Sequence, residues 1–248
     1  MDRLFEARLS DMVTQCGRGG SAVYSHFLDE RQCAEAEQWC RGNCGTLRYK
    51  LWGGYEKARR RILAVYEDWY EDYVIESCPM KCLTFTFRRE DKLSHRDFLG
   101  SFMAQQLKRE VVGDIVVGEG IAQAFVTDVG ARLIGTTVTK IGRVGVKLSD
   151  DRGFCLEETE KFQDIGGTVA SMRLDCIVGL AAGLSREKAA QLIRSERVEI
   201  NHFPVTSVSA EVHEGDVLSI RGSGRFILDN IGVTTKKGRI HVSMRKYI

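Results

Sequence analysis

Basic side chains are concentrated in the last third of the chain, where they suit phosphate binding better than catalysis. Residues 168–248 contain 12 Lys and Arg against 8 Asp and Glu, a net charge of +4, whereas the remaining residues carry −2. A positive charge confined to one part of a chain is typical of a nucleic-acid interface. The predicted phosphate contacts are Arg173, Arg186, Lys188, Arg194, Arg197, Arg221, Arg225, Lys236, Lys237 and Arg239.

Two of these arginines, Arg173 and Arg186, stand at the predicted starts of helices. An arginine beside the positive end of a helix dipole is unfavourable unless an anion lies near it. We therefore predict that both side chains meet phosphate. Replacing both with alanine is expected to remove most of the binding and to leave the fold intact.

Cysteine spacing raises the alternative of a zinc site. Cys40 and Cys44 are separated by three residues, as are Cys78 and Cys82. Four thiolates can coordinate zinc tetrahedrally. The pairs lack the tight turns that usually flank such ligands, and cysteine is commonly a small buried hydrophobic residue. We predict no metal site, with the tetrathiolate site as the alternative.

Catalytic and cofactor motifs are poorly supported. His95-Arg96-Asp97 resembles a kinase catalytic loop, but Phe102 stands where that loop requires asparagine. The glycines at 113, 118 and 120 do not form a dinucleotide-binding fingerprint. We therefore predict no catalytic residue and no cofactor, and interpret His95 as part of a helix start.

The basic residues of 172–200 require a scaffold of two short helices and a strand. Leu174, Ile177, Val178 and Ala181 have the spacing of one apolar helix face, and Gly183 ends that helix. Ser185 is a suitable N-cap for a second helix. An apolar stripe along that second helix then leads to a strand at 198–200. Strands are also predicted at 216–221, 225–230 and 239–247.

The middle of the chain, residues 78–150, alternates between strand and helix periods. Strands are predicted at 82–88, 114–117, 121–127 and 143–148, with a helix capped by Ser94 and a short helix at 128–134. This order is β-α-β-β-α-β, the split arrangement of ferredoxin-like and RNA-recognition domains. No strand carries a clear pair of base-stacking aromatics, so we do not expect it to bind single-stranded bases by stacking.

Residues 1–77 form a mixed N-terminal region in this interpretation. Two helices are predicted there, one from Asp2 to Cys16 and one capped by Asp29, followed by a strand at 46–52. A third helix is predicted because Ala58, Ile62, Val65, Tyr66 and Trp69 share one helical face. The polar segment 151–167 is interpreted as a linker to the C-terminal domain at 168–248. The fold class is therefore α+β.

Composition indicates the cellular compartment of the protein and the redox state of its cysteines. Charged residues make up 28% and hydrophobic residues 43% of the 248, values close to globular averages. The charged N-terminus does not suit a signal peptide, and no apolar run reaches membrane-spanning length. We expect a cytoplasmic protein with no membrane partner, in which the eight cysteines are reduced thiols.

The basic segment resembles a known module, the RNA-binding domain named after small-subunit ribosomal protein S-four, hereafter the S4-type domain. The pattern is carried by Arg173-Leu174-Asp175, Ser185-Arg186, Ala189 and Val198-Glu199-Ile200-Asn201. The resemblance adds Ser185 and Asn201 to the predicted RNA-binding residues. His202 replaces the usual final glycine, so the turn is expected to differ from type I′.

Blocks along nearly the whole chain resemble one family, the bacterial YlmH-like proteins. They are HFLDERQ (26–32), GGYEKARRR (53–61), LSHRDFLG (93–100), REVVGDI (109–115), KIGR (140–143) and KKGRI (236–240). Glu30 and Arg59 depart from the family, which has proline and an acidic residue there. The blocks occur in the order of the family.

The resemblance implies a non-enzymatic factor acting on the large ribosomal subunit in ribosome-associated quality control. Such a factor holds rRNA and tRNA on a stalled subunit that carries an unfinished chain, and has no small-molecule substrate. The alternative is an RNA-modifying enzyme, of pseudouridine synthase or methyltransferase type, that uses the C-terminal domain as an anchor. A protein scaffold is a third possibility, which leaves the charge asymmetry unexplained.

Overall fold

The computed structural model describes residues 1–149, 153–156 and 162–248. The chain is a mixed α/β protein that divides into two compact units, Met1–Glu158 and Thr159–Ile248. We refer to them as the N-terminal and C-terminal units. Within the described residues, no helix combines the length and apolar character that crossing a bilayer requires.

The N-terminal unit begins with two helices on a three-stranded antiparallel sheet. Its elements are α1 (Arg3–Gly19), β1 (Ala22–Leu28), α2 (Glu30–Asn43), β2 (Arg48–Trp52) and β3 (Arg61–Tyr66), and the sheet order is β1-β3-β2. Asp29 accepts a hydrogen bond from the backbone of Gln32, and the Gln32 side chain accepts one from the backbone of Asp29. This pair of bonds confirms the predicted cap of α2.

The helix predicted from Ala58 to Trp69 is wrong, because residues 61–66 form the central strand β3. Ile62, Leu63 and Val65 are fully buried there. A strand covered on both faces is apolar at every position, and such a run fits a helical period as easily as a strand. Only a 3₁₀ turn at Asp68–Tyr70 follows.

A second sheet, which we call the middle sheet, completes the N-terminal unit. The elements are β4 (Met80–Thr86), α3 (His95–Ala104), a 3₁₀ turn (Arg109–Val111), β5 (Val112–Val117), β6 (Ile121–Thr127), α4 (Asp128–Thr137), β7 (Lys140–Ile141), β8 (Val144–Gly145) and β9 (Lys147–Ser149). The middle sheet has the antiparallel order β5-β6-β4-β9, while β7 and β8 pair separately. The single strand predicted at 143–148 is therefore divided between β8 and β9.

Both faces of the middle sheet are covered. Phe85, Phe98, Phe102 and Ile134 form the core between one face and the helices α3 and α4. On the other face, the buried Gln123 donates to the carbonyl of Gly153 and accepts from the backbone N–H groups of Cys155 and Leu156. Residues 153–156 thus lie across β6 at Gln123 and cover that part of the strand surface.

The C-terminal unit packs two helices on one six-stranded antiparallel sheet. Its elements are β10 (Phe162–Val169), α5 (Leu174–Ala182), α6 (Arg186–Arg194), β11 (Val198–Ile200), β12 (Phe203–Pro204), β13 (Val217–Ile220), β14 (Gly224–Thr234) and β15 (Ile240–Tyr247). The sheet order is β10-β15-β14-β13-β11-β12. Its core contains Leu174, Ile177, Val178, Ala189 and Ile193, which are fully buried.

Part of the predicted linker 151–167 is a strand. Phe162 to Gly167 belong to β10, which pairs with β15 from Phe162↔Tyr247 to Val169↔Ile240. Residues 150–152 and 157–161 of the boundary region lie outside the described residues. The two glycines at 166 and 167 suggested a flexible connection, but Gly167 lies in the strand where a Cβ atom would meet the Leu180 side chain at 2.4 Å.

Candidate nucleic-acid interface

Asp175 joins the starts of the two helices in the C-terminal unit. Its carboxylate accepts hydrogen bonds from Nε and Nη2 of Arg173, both at 3.1 Å, and from Nε of Arg186 at 2.9 Å. The Asp175 side chain is only 5% exposed, whereas those of Arg173 and Arg186 are 39% and 62% exposed. One buried carboxylate therefore holds two partly exposed guanidinium groups.

The ionised state of Asp175 is maintained by these two arginines. Burial alone raises the pKa of a carboxyl group, but the hydrogen bonds from Arg173 and Arg186 outweigh burial and lower the pKa of Asp175 to about 2. The carboxylate is consequently charged at any physiological pH. Its charge also lies in the first turn of α5, where an anion is favourable.

The prediction that Arg173 and Arg186 require phosphate is wrong in its premise. The anion that compensates both arginines is Asp175 of the same chain. Removing both arginines would leave a buried carboxylate without partners, which is strongly destabilising. We therefore now expect the double alanine variant to be destabilised, contrary to the prediction from the sequence, although both guanidiniums still have exposed edges.

The other basic residues of α6 and of the turn after it do not pair with Asp175. Lys188, Arg194 and Arg197 are exposed. In the described part of the chain, neither Lys188 nor Arg194 makes an ion pair or a side-chain hydrogen bond. Arg197 makes a long hydrogen bond of 3.4 Å from Nη2 to the carbonyl of Arg221. These charges remain available to an external anion.

Arg197 and the β13–β14 turn form one basic corner. The backbone N–H of Arg221 donates to the carbonyl of Arg197 at 2.9 Å, so the two residues are adjacent although 24 positions apart. Gly222 and Gly224 adopt φ values of +90° and +115° in the turn. The structure thus brings together two predicted phosphate contacts that lie far apart in sequence.

Ser185 and Asn201 have structural partners. Ser185 Oγ accepts from the backbone N–H of Lys188 and caps α6, as predicted. The Asn201 side chain donates to Asp216 at 2.8 Å and accepts from the backbone N–H of Val217 at 2.9 Å. Asn201 therefore ties the β11–β12 turn to β13, and RNA contact through its side chain stays a prediction.

The β11–β12 turn has the positive φ values of a type I′ turn, so the expectation of a different turn is wrong. Asn201 and His202 have φ values of +49° and +72°, and Ile200 pairs with Phe203 across a two-residue turn. Positive φ at both central residues is the requirement of a type I′ turn. The tertiary contacts of Asn201 hold the conformation, so His202 adopts it without the usual glycine.

The remaining predicted contacts lie on the long strands β14 and β15 and the turn that joins them. Lys236 and Lys237 are exposed in that turn, whereas Arg239 reaches back to β10 and donates to Thr168 Oγ1 at 3.0 Å and to the Thr168 carbonyl. Arg225 lies over the Tyr247 ring at 5.1 Å. Arg225 and Arg239 are therefore more constrained than the two lysines.

Sequence reasoning did not identify the pairing of Arg245. This residue makes a bidentate contact with Asp229 at 2.7 to 2.9 Å and lies 4.6 Å from the Phe162 ring centroid. The alternation of Arg245 and Tyr247 in the terminal strand signals that they share one sheet face. The partners come from β10 and β14, which that alternation does not specify.

The cysteine pairs lie in separate packing clusters. Cys40 and Cys44 belong to the core beneath α1 and α2, whereas Cys78 and Cys82 pack near Phe27 and Phe125. Burial raises the pKa of Cys40 and of Cys78 to about 12, so both thiols are protonated at neutral pH. Among the residues that the structure describes, no group of three or more His, Cys, Asp or Glu has the arrangement of a metal site.

The sequence His95-Arg96-Asp97 forms the start of α3. The Asp97 carboxylate accepts hydrogen bonds from the backbone N–H of Ser94 at 2.8 Å and from its hydroxyl at 2.6 Å. This confirms the predicted acidic capping box. Asp97 is therefore engaged in stabilising the helix start.

Comparison with known families agrees with this geometry. Residues 172–218 match the S4 domain, the segment that contains α5, α6, Asp175 and the exposed cations of α6. Residues 83–152 match the family described as "Putative RNA-binding domain in YlmH". The chain is thus an S4-domain protein with a second domain of the YlmH type.

Similarity to a named protein shows the family to which the chain belongs. The chain is 32% identical over 201 residues to the ribosome-associated protein quality control protein P2 of Bacillus subtilis (strain 168), covering 78% of this chain and 76% of the relative. The chain belongs to the YlmH-like family, which confirms the predicted resemblance. A solved structure, the cell division protein ylmH from Streptococcus pneumoniae, has a TM-score of 0.49 and 19% identity, covering 61% of this chain and 91% of that one.

Proposed function

We propose that this protein is a non-catalytic factor that binds rRNA and tRNA on the large ribosomal subunit, in the cytoplasm, during quality control of obstructed nascent chains. The observation that carries the proposal is the S4 domain with exposed cations on α6 that lack partners within the described chain. The name of the Bacillus subtilis relative, a ribosome-associated quality control protein, supports the ribosomal setting.

The basic residues fall into two groups with different roles. Lys188, Arg194 and Arg197 supply charge to RNA phosphates, assisted by Arg221 at the adjoining turn and by Lys236 and Lys237. Each such contact releases counterions from RNA, so affinity falls steeply with salt. Arg173, Arg186, Arg225 and Arg239 already have partners in the protein. They position the surface and use only their exposed edges for RNA.

The middle sheet serves RNA binding by another route than base stacking. We assign it the split β-α-β-β-α-β arrangement on the basis of its strand order and its helices α3 and α4. The strand face that an RNA-recognition domain uses for stacked bases is occupied by residues 153–156. RNA contact by this domain therefore uses its edges and loops, through backbone phosphates and shape.

Salt-dependent binding tests the proposal at single residues. For the full chain and an rRNA fragment, Lys188→Ala and Lys236→Ala are each expected to lower the log–log salt slope by roughly 0.7 to 0.9, because each removes one phosphate contact. Filter binding across a salt series gives the slopes. The matched control is Arg18→Ala, which removes an exposed cation of α1, outside both the middle sheet and the C-terminal unit.

Unchanged slopes for both C-terminal variants would overturn the assignment of these lysines. An equal fall in the Arg18→Ala control would show binding through overall charge instead. A changed base in rRNA or tRNA recovered after incubation with the protein would favour the RNA-modifying alternative.

A further inference from the structure

The N-terminal unit contains a cavity of about 580 Å³ that the S4 domain does not explain. Its walls come from α1, β1, the start of α2 and the 3₁₀ turn at Arg109–Val111. Phe5, Leu9, Met12 and Phe27 give it an apolar side. A volume of this order accommodates a ligand the size of a nucleotide. We call this cavity the arginine pocket because of two residues in its lining.

Arg60 and Arg109 lie next to each other in the arginine pocket. Arg60 donates from Nε to the Val112 carbonyl at 2.9 Å and from Nη2 to the carbonyls of Phe27 and Arg109, both at 3.2 Å. Arg109 donates from Nη1 to the carbonyls of Val112 and Gly113. The two guanidiniums are thus fixed by neutral backbone acceptors.

Neither guanidinium is neutralised by an ion pair with a carboxylate in the described ranges. The hydrogen bonds also leave Nη1 of Arg60 and Nε and Nη2 of Arg109 without a protein acceptor there. Burial, followed by the charge of Arg60, lowers the pKa of Arg109 to about 10, although the charges of Asp114 and Asp29 partly offset this effect. Two adjacent, partly buried cations are unfavourable unless an anion joins them.

Three carboxylates, Asp11, Asp29 and Glu110, also line the pocket, and Asp114 lies next to Arg60. Asp114 accepts from the backbone N–H groups of Arg59 at 2.7 Å and Arg60 at 3.1 Å, and from the Tyr55 hydroxyl at 3.0 Å. Asp29 caps α2, and Glu110 pairs with Lys108 at 3.9 Å. Among the described residues, none of these carboxylates makes a salt bridge with Arg60 or Arg109, so the free edges of the two guanidiniums stay available.

We infer that the arginine pocket binds the phosphate of a nucleotide, either free or at the end of an RNA chain. Guanidinium forks match phosphate oxygens in geometry, and two of them suit a doubly charged phosphate better than a single carboxylate. Arg8, exposed on α1, lies at the same cavity and adds a third charge. The base and ribose then lie against the apolar side formed by α1 and β1.

This inference goes beyond the ribosomal proposal and does not depend on it, because the pocket uses no residue of the C-terminal unit. It adds a ligand class that the sequence motifs did not indicate. The blocks GGYEKARRR and REVVGDI supply Arg60 and Arg109, and no phosphate-binding motif links them.

Calorimetric titration of the full chain with AMP, ADP, inorganic phosphate and a short RNA tests the inference. Arg109→Gln keeps a donor for the backbone carbonyls but removes the charge, and we expect it to weaken nucleotide binding about 10-fold, the loss of one charge-assisted hydrogen bond. Arg8→Ala is expected to weaken binding about 3-fold, in line with a more exposed contact. Arg18→Ala, on the last turn of α1 and outside the pocket lining, is the matched control.

Melting temperatures establish that the variants are folded, and if Arg109→Gln unfolds, the exposed Arg8→Ala decides the result. Tighter binding of a mononucleotide and tighter binding of the RNA end both support the inference, and the difference shows which of the two is the ligand. The inference is overturned if neither nucleotide nor RNA end binds at millimolar concentration, if both pocket variants bind like Arg18→Ala, or if inorganic phosphate alone binds as tightly as ADP. Lys188→Ala, which tests the ribosomal proposal, is expected to leave nucleotide affinity unchanged.

Discussion

A single carboxylate, Asp175, fixes two of the arginines of the C-terminal unit. Asp175 is buried beneath the starts of α5 and α6 and fixes Arg173 and Arg186 through three hydrogen bonds. A buried anion of this kind contributes orientation rather than large net stability, but removing its partners is costly. The same residue that completes the RLD pattern therefore orders the helix starts, and the cations that we propose for RNA binding lie further along α6.

Asp175→Asn is expected to reduce the free energy of unfolding at neutral pH and to make it depend less on pH in the acidic range. Since the folded pKa of about 2 is below the ordinary value for Asp of about 3.9, the charged form stabilises the fold above pH ~4. That contribution, about 2 kcal/mol, is lost as the pH falls from ~4 to ~2. Denaturant titrations followed by circular dichroism at several pH values measure the difference.

The matched control for this prediction is Asp229→Asn, which removes the partner of Arg245 at a more exposed site. Its effect on stability at neutral pH is expected to be smaller, because exposed ion pairs contribute about 0 to 1 kcal/mol. Equal stability of Asp175→Asn and the wild type at pH 7 would contradict the account of the Asp175 contacts.

At the scale of elements, the β11–β12 turn shows tertiary contacts overriding a local preference. His202 has a φ of +72°, a conformation that glycine adopts without steric cost. Asn201 maintains the turn through Asp216 and Val217. The expectation of a different turn relied on residue type alone, and it lacked these contacts from a strand 15 residues away.

His202→Gly is therefore expected to stabilise the C-terminal unit by about 0.5 to 1 kcal/mol, since it relieves the left-handed conformation of a residue with a side chain. Asn201→Gly is the control, and it should destabilise the unit because the hydrogen bonds to Asp216 and Val217 are lost. Urea denaturation of both variants gives the sign. Destabilisation by His202→Gly would show that the imidazole makes a contact more valuable than the strain.

Sequence periodicity predicted elements whose exposed and buried faces differ. The helices α5 and α6, the cap of α2 and the capping box of α3 were predicted because their apolar stripes and caps are local features. It failed for β3, buried on both faces, and for β10, whose polar and glycine residues lie in a strand stabilised by pairing with β15. In both cases the information resides in a neighbour distant in sequence.

At the scale of the whole molecule, each unit presents positive charge on its own scaffold. The C-terminal unit exposes the cations of α6, while the N-terminal unit places Arg60 and Arg109 in a cavity. The α6 cations were predictable from composition, because the density of basic residues is visible in the sequence. The pocket was not, because Arg60 and Arg109 are 49 positions apart and meet only when β1, β3 and β5 are assembled.

Sedimentation of the full chain with large ribosomal subunits tests the central claim, that the α6 cations bind ribosomal RNA. The account predicts that Lys188→Glu with Arg194→Glu abolishes co-sedimentation at moderate salt while the melting temperature stays unchanged, since both side chains are exposed. Arg3→Glu with Arg18→Glu, an identical change of charge on α1, should co-sediment like the wild type. Full co-sedimentation of the α6 variant, or equal loss in the α1 control, would contradict the account.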